Sequence, residues 1–411
     1  MSSSGDLTVS TPAPRATSRR FAARREAIIS AAVNEINRRG VRGMSLAHVA
    51  APLGVVPTAV MYYFRNKEEL AAAVYLKSVA QWDALVAAAE REETSPERVK
   101  AFIRGYFNFR EAVKAARADD IADMSDARAL ASPAVNEAYV AMFRRARRLT
   151  PRRDGESRAD RNGRTVLLLA ELTWTPAWLF NWRPEDYPRL GVRMADVLVN
   201  GLAADGAESG DQTFAGVRLE PQGTDSSSNA FLQAATQLIN DEGYHGASVD
   251  RISARLKVTK GAFYHYNATK DDLVVACFQR TFDMMWRAID AAEAAGGSGL
   301  QVLTFIAGVL VRQQLGEAPL LRTSALSTVP ESVRAQLLNQ LRRITIRLAS
   351  ILCDGIADGS IRPVDTSVAA QMITAAINAA SEVTYFLPDG QGPDTASHYV
   401  RTLFAGLRPE D

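Results

Sequence analysis

Residues 19–76 and 222–279 repeat one pattern at a constant offset with no gap. Ser45 pairs with Ser248 (248 − 45 = 203), and the same offset pairs Ala31 with Ala234, Ile36 with Ile239, Gly40 with Gly243 and Gly43 with Gly246. It continues through Val49/Ile252, Leu53/Leu256, Val55/Val258, Lys67/Lys270 and Leu70/Leu273. A repeat of this length requires a chain built from two equivalent units. A length of 411 residues allows two to four domains, and an apolar share of 47% is enough for well-packed cores.

Bulk chemistry excludes several classes. Cys277 and Cys353 are too few for a disulfide framework and form no CxxC pair, which fits a reducing cytoplasm. No apolar run reaches the roughly 18 residues of a membrane span, and the N-terminus lacks the apolar stretch of a secretory signal. The net charge of +2 excludes a histone-like polycation, but its distribution is uneven. Arg15, Arg19, Arg20, Arg24 and Arg25 form a basic arm, whereas Thr224–Ser228 before the second repeat carries no positive charge.

The periodicity predicts helices throughout and no two-residue alternation, so the expected class is all-α. Residues 1–20, rich in Ser, Thr and Pro, read as a disordered arm. A helix follows over 21–39, stopped by Gly40. Ser45 caps a second helix over 46–53, Gly54-Val55 supplies a tight turn, and Pro57 opens a short third helix to about Tyr63. Asn66 and Glu69 form a capping-box pattern that starts a long helix to about Glu90. Further helices are expected at 95–117, 132–149, 160–182 (bent at Pro176) and 187–204. The Gly-, Asp- and Ser-rich stretch 205–226 reads as a linker. The pattern then restarts with helices at 227–241, 249–256 and 259–266 and a long helix opened by Thr269. Others follow at 300–315, 319–328, 330–357, 365–387 and 393–407.

Three helices joined by short turns can lay the last one in the major groove of DNA. Hydroxyls at helix N-termini, Ser45 and Ser248, suit phosphate contacts. Small residues early in the third helix, Thr58 and Ala59 in copy one and Gly261 and Ala262 in copy two, allow close approach to base edges, and Thr259 and Lys260 are further DNA-contact candidates in copy two. Tyr62, Tyr63 and Lys67, and Tyr264, His265 and Lys270, would flank the groove.

These residues resemble the DNA-binding signature of the TetR family of bacterial regulators. Copy one matches at Ser45, Val49-Ala50, Gly54-Val55, Tyr62-Tyr63-Phe64 and Lys67-Glu68-Glu69-Leu70. Copy two matches at Ser248, Ile252, Val258 through Tyr264 and Lys270-Asp271-Asp272-Leu273. Copy one departs at Val56, where a capping Ser or Thr is expected, and at Met61, where the family places tyrosine. Copy two departs at Lys257, for the turn glycine, and at Asn267, for a buried phenylalanine. The resemblance implies two tandem units: helix-turn-helix domains at 21–67 and 227–270, each followed by a helical ligand-binding and dimerising domain, at 68–204 and 271–408. It also implies a DNA-binding regulator, normally a repressor, controlled by a small-molecule effector. Fusion of two such units points to an intramolecular pseudo-dimer, with 160–204 and 365–407 as the four-helix interface. The expected partners are a double-stranded DNA operator with unequal halves and an effector, with further self-association of pseudo-dimers open and no membrane role.

Several residues carry two readings. The arginine arm is either a solvated tail or a groove-contacting extension. The second head, poorer in net positive charge, is either a weaker DNA reader or a packing unit, and a scaffold without DNA binding is the rival class. Phe102, Tyr106, Phe109, Trp174 and Trp178 recur at helical spacing as either core or the wall of an effector pocket, with Glu171 as its polar group. His48, His245, His265 and His398 form no ligand cluster, so no metal or cofactor is expected. No nucleophile–base pair or phosphate loop appears, and an enzyme is not expected.

Overall fold

A computed structural model describes residues 15–124, 127, 130–208, 217, 219, 226–256, 269–316, 318–327, 329, 331–383 and 395–407. Among them the fold is helical, the one β-type contact being an isolated bridge between Ala203 and Ile361. The first head comprises α1 (Arg15–Gly43), α2 (Leu46–Ala50) and α3 (Pro57–Met61). α1 starts at Arg15, so the clustered arginines lie along a helix instead of on a disordered arm. Gly40 breaks it at φ 68° and ψ 169°, and Gly243 breaks the equivalent helix α9 (Ser226–Gly246) at φ 72° and ψ 169°. Both sit in a left-handed region that disfavours a side chain. The repeat is therefore one of backbone geometry as well as sequence. α10 (Val249–Leu256) follows α9; the expected helix 259–266 lies outside the described residues.

The first body contains α4 (Lys67–Ala89), α5 (Ser95–Lys114), α6 (Pro133–Ala146), α7 (Arg158–Trp174) and α8 (Tyr187–Asn200). Asn66 caps α4 by accepting from Glu69 N at 2.8 Å, and Glu69 returns a bond to Arg65 N at 2.8 Å. The expected helix 160–182 ends at Trp174, where 3-10 turns take over. Pro176, lacking an N–H, ends this helix instead of bending it. α5 and α8 approach closely because position 191 is glycine; a Cβ there would lie 2.9 Å from the Phe107 ring.

The second body contains α11 (Lys270–Ala295), α12 (Gly299–Leu315), α13 (Glu331–Ala357), α14 (Thr366–Val383) and α15 (Thr395–Ala405). Thr269 and Asp272 form a full capping box on α11. The expected helix 319–328 is replaced by a 3-10 turn over Thr323–Ser327.

α7 packs against α14 and α15, and α8 against α14. Polar links join the copies around this apolar seam. Arg362 reaches Asp196 at 2.8 Å, His398 meets Asp160 at 2.9 Å, Arg193 pairs with Asp365, and Trp174 Nε1 donates to Gln371 at 3.2 Å. The ends of α8 and α15 cross at two glycines. Leu202 N donates to Phe404 O and Leu407 N to Leu198 O, each at 2.8 Å. Gly201 (φ 74°) and Gly406 (φ 87°) permit this, since a Cβ on either would come within 2.5 Å of backbone in the other copy.

Apolar burial is unequal between the copies. Head one has its own core, built on Ile28, Ala32, Ile36, Val60, Phe64 and Val74. The buried residues of head two, including Phe231, Leu238 and Ile252, belong to one continuous core with both bodies.

Candidate nucleic-acid interface and adjoining cavity

In head one, Ser45 adopts extended backbone and its hydroxyl accepts from His48 N at 3.2 Å, leaving α2 capped. Gly54 at φ 64°, ψ 33° forms the left-handed turn, and a Cβ there would meet nothing within 4 Å. Val55 tucks against the head core behind the turn. Pro57 then starts α3 without a side-chain cap, because Val56 has no hydroxyl. Val60 is fully buried and pins the inner face of α3, while Thr58 is exposed and Ala59 partly so. Val56, Met61 and Tyr62 are 64%, 52% and 75% exposed. Adjacent large side chains on open display around a short helix mark a candidate contact surface.

Tyr62 and Tyr63 lie edge-on to one another, and Phe21 of α1 packs on Tyr63 at 4.7 Å between centroids. Arg25 sits over the Phe64 ring at 4.9 Å. Lys67 donates to Arg42 O at 2.7 Å, and partial burial lowers its pKa against the opposing pull of Glu68. It therefore fixes the end of α1 to the start of α4.

Head two repeats the cap: Ser248 Oγ accepts from Arg251 N at 3.3 Å. Its lysine behaves differently. Lys270 lies 4.1 Å from the Tyr244 ring centroid, and burial lowers its pKa while Asp271 raises it. Thr259, Lys260, Gly261, Ala262, Tyr264 and His265, with Lys257 and Asn267, lie outside the described residues. The two arginines of α10 are engaged: Arg251 pairs with Glu242 and Arg255 with Asp241. Glu242 also accepts from Arg42 of head one at 2.9 Å, so α1 and α9 touch across the repeat.

Beside head one lies a cavity of about 970 Å³. Tyr106 and Trp174 line it, together with Trp82 and Phe143. Phe102 and Trp178 are buried in the body core, and Phe109 packs 6.4 Å from Tyr106; none of these three lines the cavity. Glu171 is fully buried off the lining, and its carboxyl finds no hydrogen bond. Asn378 and Glu382 of copy two, which the sequence offers as core-or-pocket residues, also line it; Arg110, Asp120 and Asn37 of copy one and Arg322 and Arg334 of copy two line it without having been singled out in the sequence. Arg110 stands one turn after Tyr106 on α5, a spacing from which its shared face was readable. The copy-two residues reach the cavity through tertiary packing alone.

Cys277 is buried, and burial pushes its thiol up to about 12, so it is no nucleophile at neutral pH. Among the described residues no cluster of three or more His, Cys, Asp or Glu can hold a metal, and no helix is long and apolar enough to cross a membrane.

Head one is thus a complete tri-helical helix-turn-helix, and the described part of head two repeats it. The model of bacterial regulatory proteins of the tetR family matches both, at residues 28–74 and 231–277. These two segments carry that family's DNA-binding region, which the chain therefore holds twice in tandem. The chain is 38% identical over 56 residues to the transposon Tn10 TetC protein of Escherichia coli, covering 14% of this chain and 28% of that one. It is 33% identical over 87 residues to the HTH-type transcriptional regulator RutR of Escherichia coli (strain K12), covering 21% and 41%. The chain therefore spans less than half the length of these curated relatives. Among solved structures, AibR in complex with isovaleryl coenzyme A and operator DNA aligns with 44% of this chain and 98% of its own, at 22% identity and a TM-score of 0.37.

Proposed function

We propose that this protein is a transcriptional regulator, by preference a repressor, that grips one operator with two unequal heads and lets go when a small molecule fills the cavity. The observation that carries this reading is the exposed face of α3, where Thr58, Met61 and Tyr62 stand out beyond a capped α2 and a left-handed turn at Gly54. Such a helix fits a major groove about 12 Å wide.

The inequality of the heads is supported by charge. Head one carries Arg19, Arg20 and Arg24 exposed on α1, whereas Arg251 and Arg255 of head two are already neutralised by Glu242 and Asp241. Phosphate neutralisation dominates DNA affinity, so head one is the stronger grip. The packing of α7 and α8 on α14 and α15 supports a pseudo-dimer in which one chain replaces two. On such a molecule the heads would address half-sites roughly 34–36 Å apart.

Gel shift of the full-length protein on DNA upstream of its own gene, at rising salt, tests the reading. Salt-sensitive binding is expected, with loss on Thr58→Ala and a smaller loss on Lys260→Ala. Binding that ignores both substitutions would show that the heads are misassigned. Operator selection should return unequal halves; a perfectly symmetric palindrome counts against unequal grips.

A further inference from the structure

We infer that the cavity takes an organic acid, and that its acid group displaces Asp120 from Arg110 and thereby loosens the strap that joins head one to α5 of the body. This rests on the regulator reading above and names the ligand class and the trigger of the same site.

The segment 119–123 runs between the cavity and head one and is tied to both. Asp119 accepts from Ser30 of α1 at 2.7 Å and from Lys77 of α4 at 2.9 Å. Asn37 of α1 clasps the segment twice, donating to Ile121 O at 2.9 Å and accepting from Asp123 N at 2.8 Å. Ala122 N donates to the buried hydroxyl of Ser78 at 2.9 Å. Ile121 belongs to the body core and Ala122 to the core of head one, so the strap crosses from one core to the other.

From the cavity side, Arg110 holds this strap by a charged link. Arg110 Nη1 donates to Asp120 Oδ1 at 2.5 Å, and both residues line the cavity. Arg110 is 9% exposed, and its Nε is buried without an acceptor. A buried guanidinium using part of its fork is an incomplete carboxylate site, because the fork favours two parallel bonds to one acid. Asp120 meets the guanidinium through Oδ1 alone, the same oxygen that accepts from Ile121 N at 2.8 Å. An incoming carboxylate can take the whole fork while its apolar body rests on Trp82, Tyr106 and Trp174. The remaining charged wall is balanced in sign, so Arg110 decides the polarity of the ligand. Arg322 of copy two, whose Nε donates to Ser381 at 3.1 Å, and Arg334 add two further positive groups, which Asp123 and Glu382 balance. Once Asp120 leaves Arg110, the strap keeps its bonds to α1 and to Lys77 and Ser78 of α4 but loses its charged tie to α5, which loosens head one from α5.

The full-length protein is titrated calorimetrically with hexanoate, decanoate, phenylacetate and 4-phenylbutyrate, each against its primary amide. At least one acid is expected to bind about tenfold or more tighter than its amide, as a charge-assisted pair requires. Arg110→Gln and Arg110→Lys should abolish that preference, and Asp120→Asn, which removes the internal competitor, should tighten acid binding several-fold. Amide exchange at 119–124 should rise when the acid binds. Equal binding of acids and amides, no binding by any acid, or weaker binding by Asp120→Asn overturns the proposal. The gel shift separates the two readings: acid preference without operator binding sustains the site and sinks the regulator, and the reverse sinks this site alone.

Discussion

At the scale of single residues, Glu171 is the group most out of place. It is fully buried on α7, both carboxylate oxygens lack partners, and the neighbouring Tyr399 gives its hydroxyl to Ala376 O. Burial, which penalises the charged form, holds its pKa well above the ordinary carboxylate range. A raised folded pKa means that stability is fully present below the unfolded value, about 4.3, and is lost as pH climbs toward the folded value. Glu171→Gln keeps the shape and removes the titration. It is expected to raise stability at pH 8 by on the order of 1–3 kcal/mol and to leave pH 4 nearly unchanged. Thermal melts of both proteins at the two pH values decide this; identical slopes with pH would mean that Glu171 is solvated or paired. The sequence marked Glu171 as a polar group one turn before Trp174, yet the two face different surroundings. Residues 162–172 of α7 are buried on every side, between body one and copy two. A helix with two buried faces has no polar stripe from which to read direction.

Among elements, α9 and α10 hold the clearest lever on DNA affinity. Glu242 is shared by Arg251 of its own head and Arg42 of the other. Glu242→Gln should release both arginines toward phosphate. Operator binding is then expected to tighten at low salt, with log K falling more steeply against log [salt] by about one to two units of slope. An unchanged slope would show that neither arginine faces the DNA. The elements themselves were legible wherever a cap and a period agreed. Asn66 and Thr269 mark α4 and α11, and Gly40 and Gly243 mark the breaks in α1 and α9. Legibility failed where tertiary links decide the outcome. The stretch 319–328 has helical composition, but Leu320 N and Arg322 N are taken by the side chains of Gln314 and Asn240, so only a 3-10 turn forms. The strap 119–123 is ordered by Asn37 and Ser30, more than eighty positions away, which no local pattern encodes.

For the whole molecule, the question is whether the covalent link or the interface makes the two halves one body. The seam of α7, α8, α14 and α15 is apolar at its centre and ringed by Arg362–Asp196, Arg193–Asp365 and His398–Asp160. A tether of this length supplies an effective concentration of order millimolar, which would hold even a weak pair together. A protease site inserted within 209–216 separates the two contributions. If the seam suffices, the cut halves elute as one complex and bind operator as the intact chain does. The same cut in Gly406→Ala should then dissociate. A methyl there strains a backbone at φ 87° and drives into Val199 O at 2.7 Å and Gly201 N at 2.5 Å. Conformations open to glycine alone cost of order 1–3 kcal/mol when forced on another residue, before any clash is counted. The uncut Gly406→Ala chain should stay paired, because the tether offsets that loss. Should the cut wild-type halves separate at micromolar concentration, the tether and not the seam would be what unites the two heads.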